Sequence, residues 1–333
     1  MPESVSAQHL SDLLTEEIAN ALRLPRSGPH MGLLRPVVRG VTRKFATLAS
    51  AFDADIAALG WRAAATRFAA HFVAGVSCEG CGIPTEGPVL IAANHPGVSD
   101  ALAIAHCIPR DDVCLTLSDV PIVRALPHAQ GHFIPIPGHV EGHVAALRQI
   151  VRALEAGRAV IIFPSTHLTP DPAAGAEGRA EGRTASSPYG EGEAVAGFEA
   201  LARATFDDWS ASVLLALRRV PACRLQVAMV SGVTAARFAH HPLTRLIRAP
   251  RGWERQRLAE FLQVMGHLRT ESDFGLAPRV VFGAPLTVTE LGDLRDHETA
   301  MARVVAEGRG VLAYVAQAGS TLAHRQGRPI LRR

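Results

Sequence analysis

Pro88-Val-Leu-Ile-Ala-Ala-Asn94-His95-Pro96-Gly97-Val98-Ser99-Asp100 is the stretch on which the fold turns. The apolar run 89–93 has the length and composition of a buried strand. Asn94 and His95 leave that strand, and Pro96 reads as the first residue of the helix that follows, a position proline favours. Two residues five apart on a regular helix point about 140° from each other. A histidine in the bend before the helix escapes that limit and is able to fold back onto Asp100. The same spacing recurs as His106 with Asp111, but no strand precedes that pair, and His106 falls near a helix end with Pro109 beyond it.

Outward from this segment the texture repeats. Residues 113–117, 132–136, 159–163, 225–230 and 279–282 are further strand candidates, and 99–107, 140–156 and 198–219 are helical patterns between them. Apolar strands alternating with helices predict an α/β domain, a mostly parallel sheet flanked by helices. Residues 1–75 read as an N-terminal helical segment, with apolar stripes at helical spacing through Leu10 to Leu22, Val41 to Leu59 and Trp61 to Phe72. Those helices either pack on each other and on the next domain or dock on an anionic bilayer, as basic amphipathic helices do. The α/β domain is expected over 76–290, with a long mobile loop at 170–197 that is poor in apolar residues. A C-terminal helix and basic tail complete 291–333.

Apolar residues make up 48% of the 333 and charged residues 20%, ordinary globular usage that excludes wholesale disorder. A net charge of +3 is too small to point to a nucleic-acid partner. No signal peptide is expected at the start of the chain, and no run is long and apolar enough for a transmembrane helix. The five cysteines are not spaced as a disulfide framework and read as reduced thiols, with Cys78-Glu-Gly-Cys81 a strand end and turn rather than a zinc pair. These features predict a cytoplasmic protein.

The chemistry follows from the bend. Ligands of open α/β sheets sit beyond the carboxyl ends of the strands, where His95 belongs. A carboxylate on one ring nitrogen fixes the tautomer and raises basicity at the other, which then takes a proton from a hydroxyl attacking a thioester. Gly97 and the N–H groups of the helix start are candidates to support the oxyanion. Asn94-His95 with Asp100, a His-x4-Asp pattern after Val-Leu-Ile-Ala-Ala, resembles the first signature block of the phospholipid/glycerol acyltransferases, the lysophosphatidic acid acyltransferase-like proteins. Gly131-His-Phe133-Ile134-Pro135-Ile136, Gly157-Arg-Ala-Val-Ile-Ile-Phe163-Pro164, Val227-Ala-Met-Val-Ser-Gly232 and Val281-Phe-Gly283-Ala-Pro285 resemble its later blocks in order.

The resemblance implies an O-acyltransferase with His95 as general base and Asp100 as its partner. Asn94, Gly97, Phe163, Pro164, Ser165, Thr166 and His167 would then contact substrate. It further implies an acyl-CoA or acyl-carrier-protein thioester as donor, a lipid acceptor, peripheral contact with the inner face of the cell membrane, and neither a resident cofactor nor a metal. The chain departs from the family at two places. Ile136 stands where an arginine usually ends the second block, and Ser165-Thr166-His167-Leu168 replaces Glu-Gly-Thr-Arg in the third. A pocket without those charges binds an acceptor lacking phosphate there, or takes its cation from elsewhere, as from Arg124. The alternative is a non-catalytic lipid- or acyl-binding protein on the same scaffold.

Three other constellations carry weaker signals. His167 and Asp171 follow the 159–163 strand and belong at the same edge, either in substrate contact or in an ordinary polar loop. Trp209, with Arg218 and Arg219 beyond, is either a cleft aromatic or a core residue. His139-Val-Glu141-Gly-His143 lacks the order of a zinc helix, but its histidines four apart would share a face in a metal-dependent hydrolase.

Overall fold

The computed structural model describes residues 6–21, 28–165, 167–173, 191–246 and 252–323. Three helices open it: α1 (Ala7–Ala21), α2 (Pro29–Leu59, which contains Pro36) and α3 (Trp61–Ala69). There follow β1 (Ser77–Gly80), β2 (Val89–Ala93), α4 (Asp100–Cys107), β3 (Val113–Ser118), α5 (Pro121–Arg124), β4 (Phe133–Ile136), α6 (Val140–Glu155) and β5 (Ala159–Ile162). The second half holds α7 (Glu191–Phe206), α8 (Ser212–Arg219), β6 (Arg224–Ser231), α9 (Ala236–Ala239), α10 (Pro242–Leu246), α11 (Gly252–Thr270), β7 (Arg279–Phe282), α12 (Val288–Leu291) and α13 (His297–Ala323).

The strands form one sheet in the order β1-β7-β6-β2-β5-β3-β4. Neighbours pair in parallel except β6 with β7, so β1 and β7 run against the other five. The α/β expectation holds, and each strand predicted from its apolar run is present. Strand β1 is not among the apolar-run candidates because Ser77-Cys-Glu-Gly80 is largely exposed and has no apolar pattern, but it ends at Gly80 in line with the strand end and turn read at Cys78–Cys81.

Strand β2 lies at the centre, with all five residues buried. Leu90 and Ala92 face a cluster built with α6, α7, α8 and α13, while Val89, Ile91 and Ala93 face a second one with α1 to α4. A strand buried on both faces must be apolar throughout, which is why 89–93 shows no alternation. Leu10, Phe52, Ile56 and Trp61 lie in that second cluster, so the N-terminal helices pack on the sheet. Among the described residues, no helix is long and apolar enough to cross a membrane.

Two local expectations are corrected. The 198–219 pattern is two helices, broken around Asp207 and Asp208, and the N–H of Ser210 after the break donates to the carbonyl of Pro164 at 3.1 Å. Cys78 and Cys107 form a disulfide with Cα atoms 5.7 Å apart, leaving Cys81, Cys114 and Cys223 free. Their separation of 29 residues hides the pairing from any spacing rule, since only the fold brings β1 to the end of α4. The expected loop at 170–197 is corrected at its end, where residues 191–197 belong to α7, while residues 174–190 and the basic tail lie outside the described residues.

Candidate active site

Strand β2 delivers Asn94 and His95 to the carboxyl end of the sheet. The Asn94 side chain turns away from the bend and behaves as an extra peptide unit. Its Oδ1 accepts from the Val230 N–H at 2.7 Å and its Nδ2 donates to the Val230 carbonyl at 2.9 Å, fastening β2 to β6. His95 then enters the bend. The helix begins at Asp100 rather than Pro96, and the N–H groups of residues 97 and 98 before it hydrogen-bond to side chains.

The imidazole folds back as the spacing predicted. His95 Nδ1 lies 2.8 Å from Asp100 Oδ2, and the same oxygen accepts the Gly97 N–H at 3.1 Å. Asp100 is fully buried at the N-terminus of α4, whose dipole favours its charge, while the His95 side chain keeps 32% of its surface exposed. Burial acts to lower the His95 pKa. The Asp100 charge and hydrogen bond, helped by the charge of Glu260, outweigh it and raise the pKa above 6.5. With Nδ1 bound by the carboxylate, Nε2 is the nitrogen left for chemistry.

The bend is held from three sides. Phe163, the first residue after β5, stacks on the imidazole with ring centroids 4.5 Å apart and planes 30° apart. The N–H of His95 donates to Thr169 Oγ1 at 3.0 Å, and the Thr169 N–H donates to the His95 carbonyl at 2.8 Å. On the third side stands Glu260 of α11, 2% exposed, with Oε2 accepting the Val98 N–H at 2.9 Å and Oε1 accepting the Thr234 hydroxyl at 2.6 Å. Burial pushes the Glu260 carboxyl up to about 7. A Cβ at Gly97 would stand 2.6 Å from Glu260 Oε2, so a larger residue there would have to displace the Glu260 carboxyl from its hydrogen bonds. The N–H groups of Gly97 and Val98, expected to face an oxyanion, are thus engaged by Asp100 and Glu260.

Asp171 sits behind this layer, fully enclosed. Its Oδ1 accepts the N–H groups of Ala173 and Gly232, and its Oδ2 those of Val233 and Thr234. Burial raises its pKa against the pull of these bonds. Its role is to fix the 232–234 turn against the 169–171 segment.

The remaining expected residues are distributed as follows. Pro164 is buried and holds the α7–α8 break through its carbonyl. Ser165 and His167 form a local turn, the Ser165 Oγ donating to the His167 carbonyl at 3.0 Å. Thr166 lies outside the described residues. Arg124 is ion-paired with Asp119. Trp209 is a core residue, its ring 5.0 Å from Phe206. His139 caps α6 by accepting the Gly142 N–H at 3.1 Å, and no group of three potential metal ligands exists among the described residues. The decoy pair is separated: His106 bonds Thr66, while Asp111 accepts the N–H of Arg62 at the start of α3.

Thr169 and Glu260 were not singled out from the sequence. Both lie far along the chain from His95, and the face of α11 that meets the bend is polar, so no apolar stripe marks it.

Residues 76–186 match the model of the family described as Acyltransferase. No curated protein matches the chain. Among solved structures, the crystal structure of the 1-acyl-sn-glycerophosphate (LPA) acyltransferase PlsC from Thermotoga maritima aligns over 91% of this chain and 96% of its own, at 13% identity and a TM-score of 0.38.

Proposed function

We propose that this chain is an enzyme that moves a fatty acyl group from a thioester to the hydroxyl of a lipid, with His95 as general base, a reading supported by the match of residues 76–186 to the acyltransferase family model. The observation that supports this most directly is the 2.8 Å contact between His95 Nδ1 and a fully buried Asp100, with the imidazole still open to solvent.

The sequence of events is as follows. His95 Nε2 removes the proton of the acceptor hydroxyl as its oxygen attacks the thioester carbonyl carbon. The carbonyl electron pair moves to oxygen, and Asp100 stabilises the imidazolium that results. Collapse of the tetrahedral intermediate restores the carbonyl and breaks the carbon–sulfur bond. The thiolate leaves and takes the proton held on His95. Donor and acceptor exchange one acyl group for one proton, and the base is regenerated.

A glycerolipid hydroxyl is the proposed acceptor, and acyl-CoA or acyl-carrier protein the donor. Substrates with acyl chains stay at a bilayer, since each buried methylene is worth about 0.8 kcal/mol. The exposed face of α2 suits peripheral contact at the inner surface of the membrane. There Leu33 and Val37 are 75% and 76% exposed, beside Arg35 and Arg39.

The test is thiol release from acyl-CoA by the purified chain in the presence of lysophospholipid, monoacylglycerol and other hydroxyl lipids. Acceptor-dependent release supports the reading. Binding of acyl-CoA without release by any of them favours instead a lipid- or acyl-binding protein, the alternative suggested by Ser165 and His167 in the altered third block.

A further inference from the structure

Helix α11 presents a run of buried or half-buried polar residues at helical spacing: Gln256, Glu260, Gln263 and His267. Three of them grip the loops around the candidate base. Gln256 Nε2 donates to the carbonyl of Pro96 at 2.7 Å and to Thr234 Oγ1 at 3.0 Å. Gln263 bridges the Val233 carbonyl and the Ala235 N–H, both at 2.7 Å. Glu260 takes the Val98 N–H and the Thr234 hydroxyl. The turn at residues 96–98 is therefore held at both ends, its carbonyl by Gln256 and its N–H by Glu260.

A buried carboxyl is a costly way to accept two hydrogen bonds, because ionising it away from water is unfavourable. An amide at the same place would accept one N–H as well. What the carboxyl adds is a negative charge on the side of the bend that Asp100 does not occupy. We propose that Glu260 is a positioning residue that holds the turn at residues 96–98 and, through its charge, adds to the basicity that Asp100 gives His95. The charged groups facing it from the packed elements are Asp100 at the start of α4, Asp171 after β5 and His95 itself. Both carboxylates disfavour its ionisation, and the imidazolium favours it. Protonation of His95 and ionisation of Glu260 are thus mutually supportive, and the second is most favoured at the moment the base holds the substrate proton.

The experiment uses the full chain labelled with 15N-histidine, with the His95 ring signals assigned by their loss in His95→Gln. Glu260→Gln reproduces the hydrogen-bond pattern of the protonated carboxyl without its charge. The His95 pKa is expected to fall by roughly half a unit in Glu260→Gln. The acid limb of kcat/KM with palmitoyl-CoA is expected to move down the pH scale by the same amount. An unchanged His95 pKa in folded Glu260→Gln overturns the proposal. Should that variant not fold, the reciprocal measurement decides: the Glu260 carboxyl, followed by 13C in the full chain, must titrate higher in His95→Gln, where the imidazolium is lost, and an unmoved titration overturns it. The rate arm rests on the acyl-transfer reading, but the titration arms do not. A protein that releases no thiol and yet shows the His95 shift loses that reading and keeps this one.

Discussion

His95 and Thr169 exchange two hydrogen bonds, the N–H of His95 to Thr169 Oγ1 at 3.0 Å and the N–H of Thr169 to the His95 carbonyl at 2.8 Å. The backbone of the candidate base is thereby stitched to a segment 74 residues later, just past the altered third block. That block differs in its side chains from the family pattern, yet the chain following it still docks on the bend. The scaffold survives where the charges do not.

Thr169→Val keeps the shape and removes the hydroxyl. The His95 N–H then loses its acceptor in a place where water is scarce, at a cost of about 1–3 kcal/mol. Urea unfolding is expected to show that loss, accompanied by a lower kcat in the thiol-release assay. Unchanged stability would mean that the hydroxyl contributes nothing there.

Asp100→Asn and His95→Ala are each expected to lower kcat/KM by at least ~10²-fold, the scale of a lost general base. Because the two residues act as one unit, the double variant should be little worse than either single one. Near-normal turnover in folded His95→Ala protein removes the proposed mechanism. The check is steady-state thiol release, with circular dichroism to establish folding.

Stability should fall across the neutral range. The Glu260 carboxyl is raised from 4.5 to about 7. A group with a raised folded pKa holds its proton more tightly in the native state, so its contribution is intact below pH 4.5 and is lost as pH rises through 7. The full shift corresponds to roughly 3 kcal/mol. Chemical denaturation at pH 5 and pH 8 should therefore show a larger loss in the unaltered chain than in Glu260→Gln, while His95 and Asp171, both also raised, contribute the same sign to each. Equal losses would show that Glu260 titrates normally.

Reduction of the Cys78–Cys107 disulfide, which spans 29 residues, should destabilise the fold. Chain-entropy arguments put the loss at about 3–4 kcal/mol. Dithiothreitol is expected to lower Tm in the unaltered chain and to leave Cys78→Ser unmoved. A thiol count under denaturing, non-reducing conditions should find Cys81, Cys114 and Cys223 only. Five reactive thiols would mean that the bond is absent.

The candidate pair, His95 and Asp100, was legible because its geometry is local. Both residues lie in one bend, and the apolar run before them fixes where the bend sits. Strands buried on both faces were legible for the same reason, being continuous apolar runs. The supports around the pair were not. Glu260 and Gln256 reach the bend from a helix about 160 residues away, and their buried face is polar, so periodicity carries no sign of it. Asp171 was weighed for substrate contact, but three of its four N–H partners come from a turn that only the pairing of β6 beside β2 brings near. Asn94 shows the converse: expected at the substrate for its place beside His95, its side chain pairs with Val230 of the sheet.

Phe163 covers one flat side of the imidazole. Protons enter and leave an imidazole in the plane of its ring, so a lid on that side leaves the base functional while barring traffic from above it. On the proposed reading, reactants would reach Nε2 along the ring plane or from the face opposite Phe163.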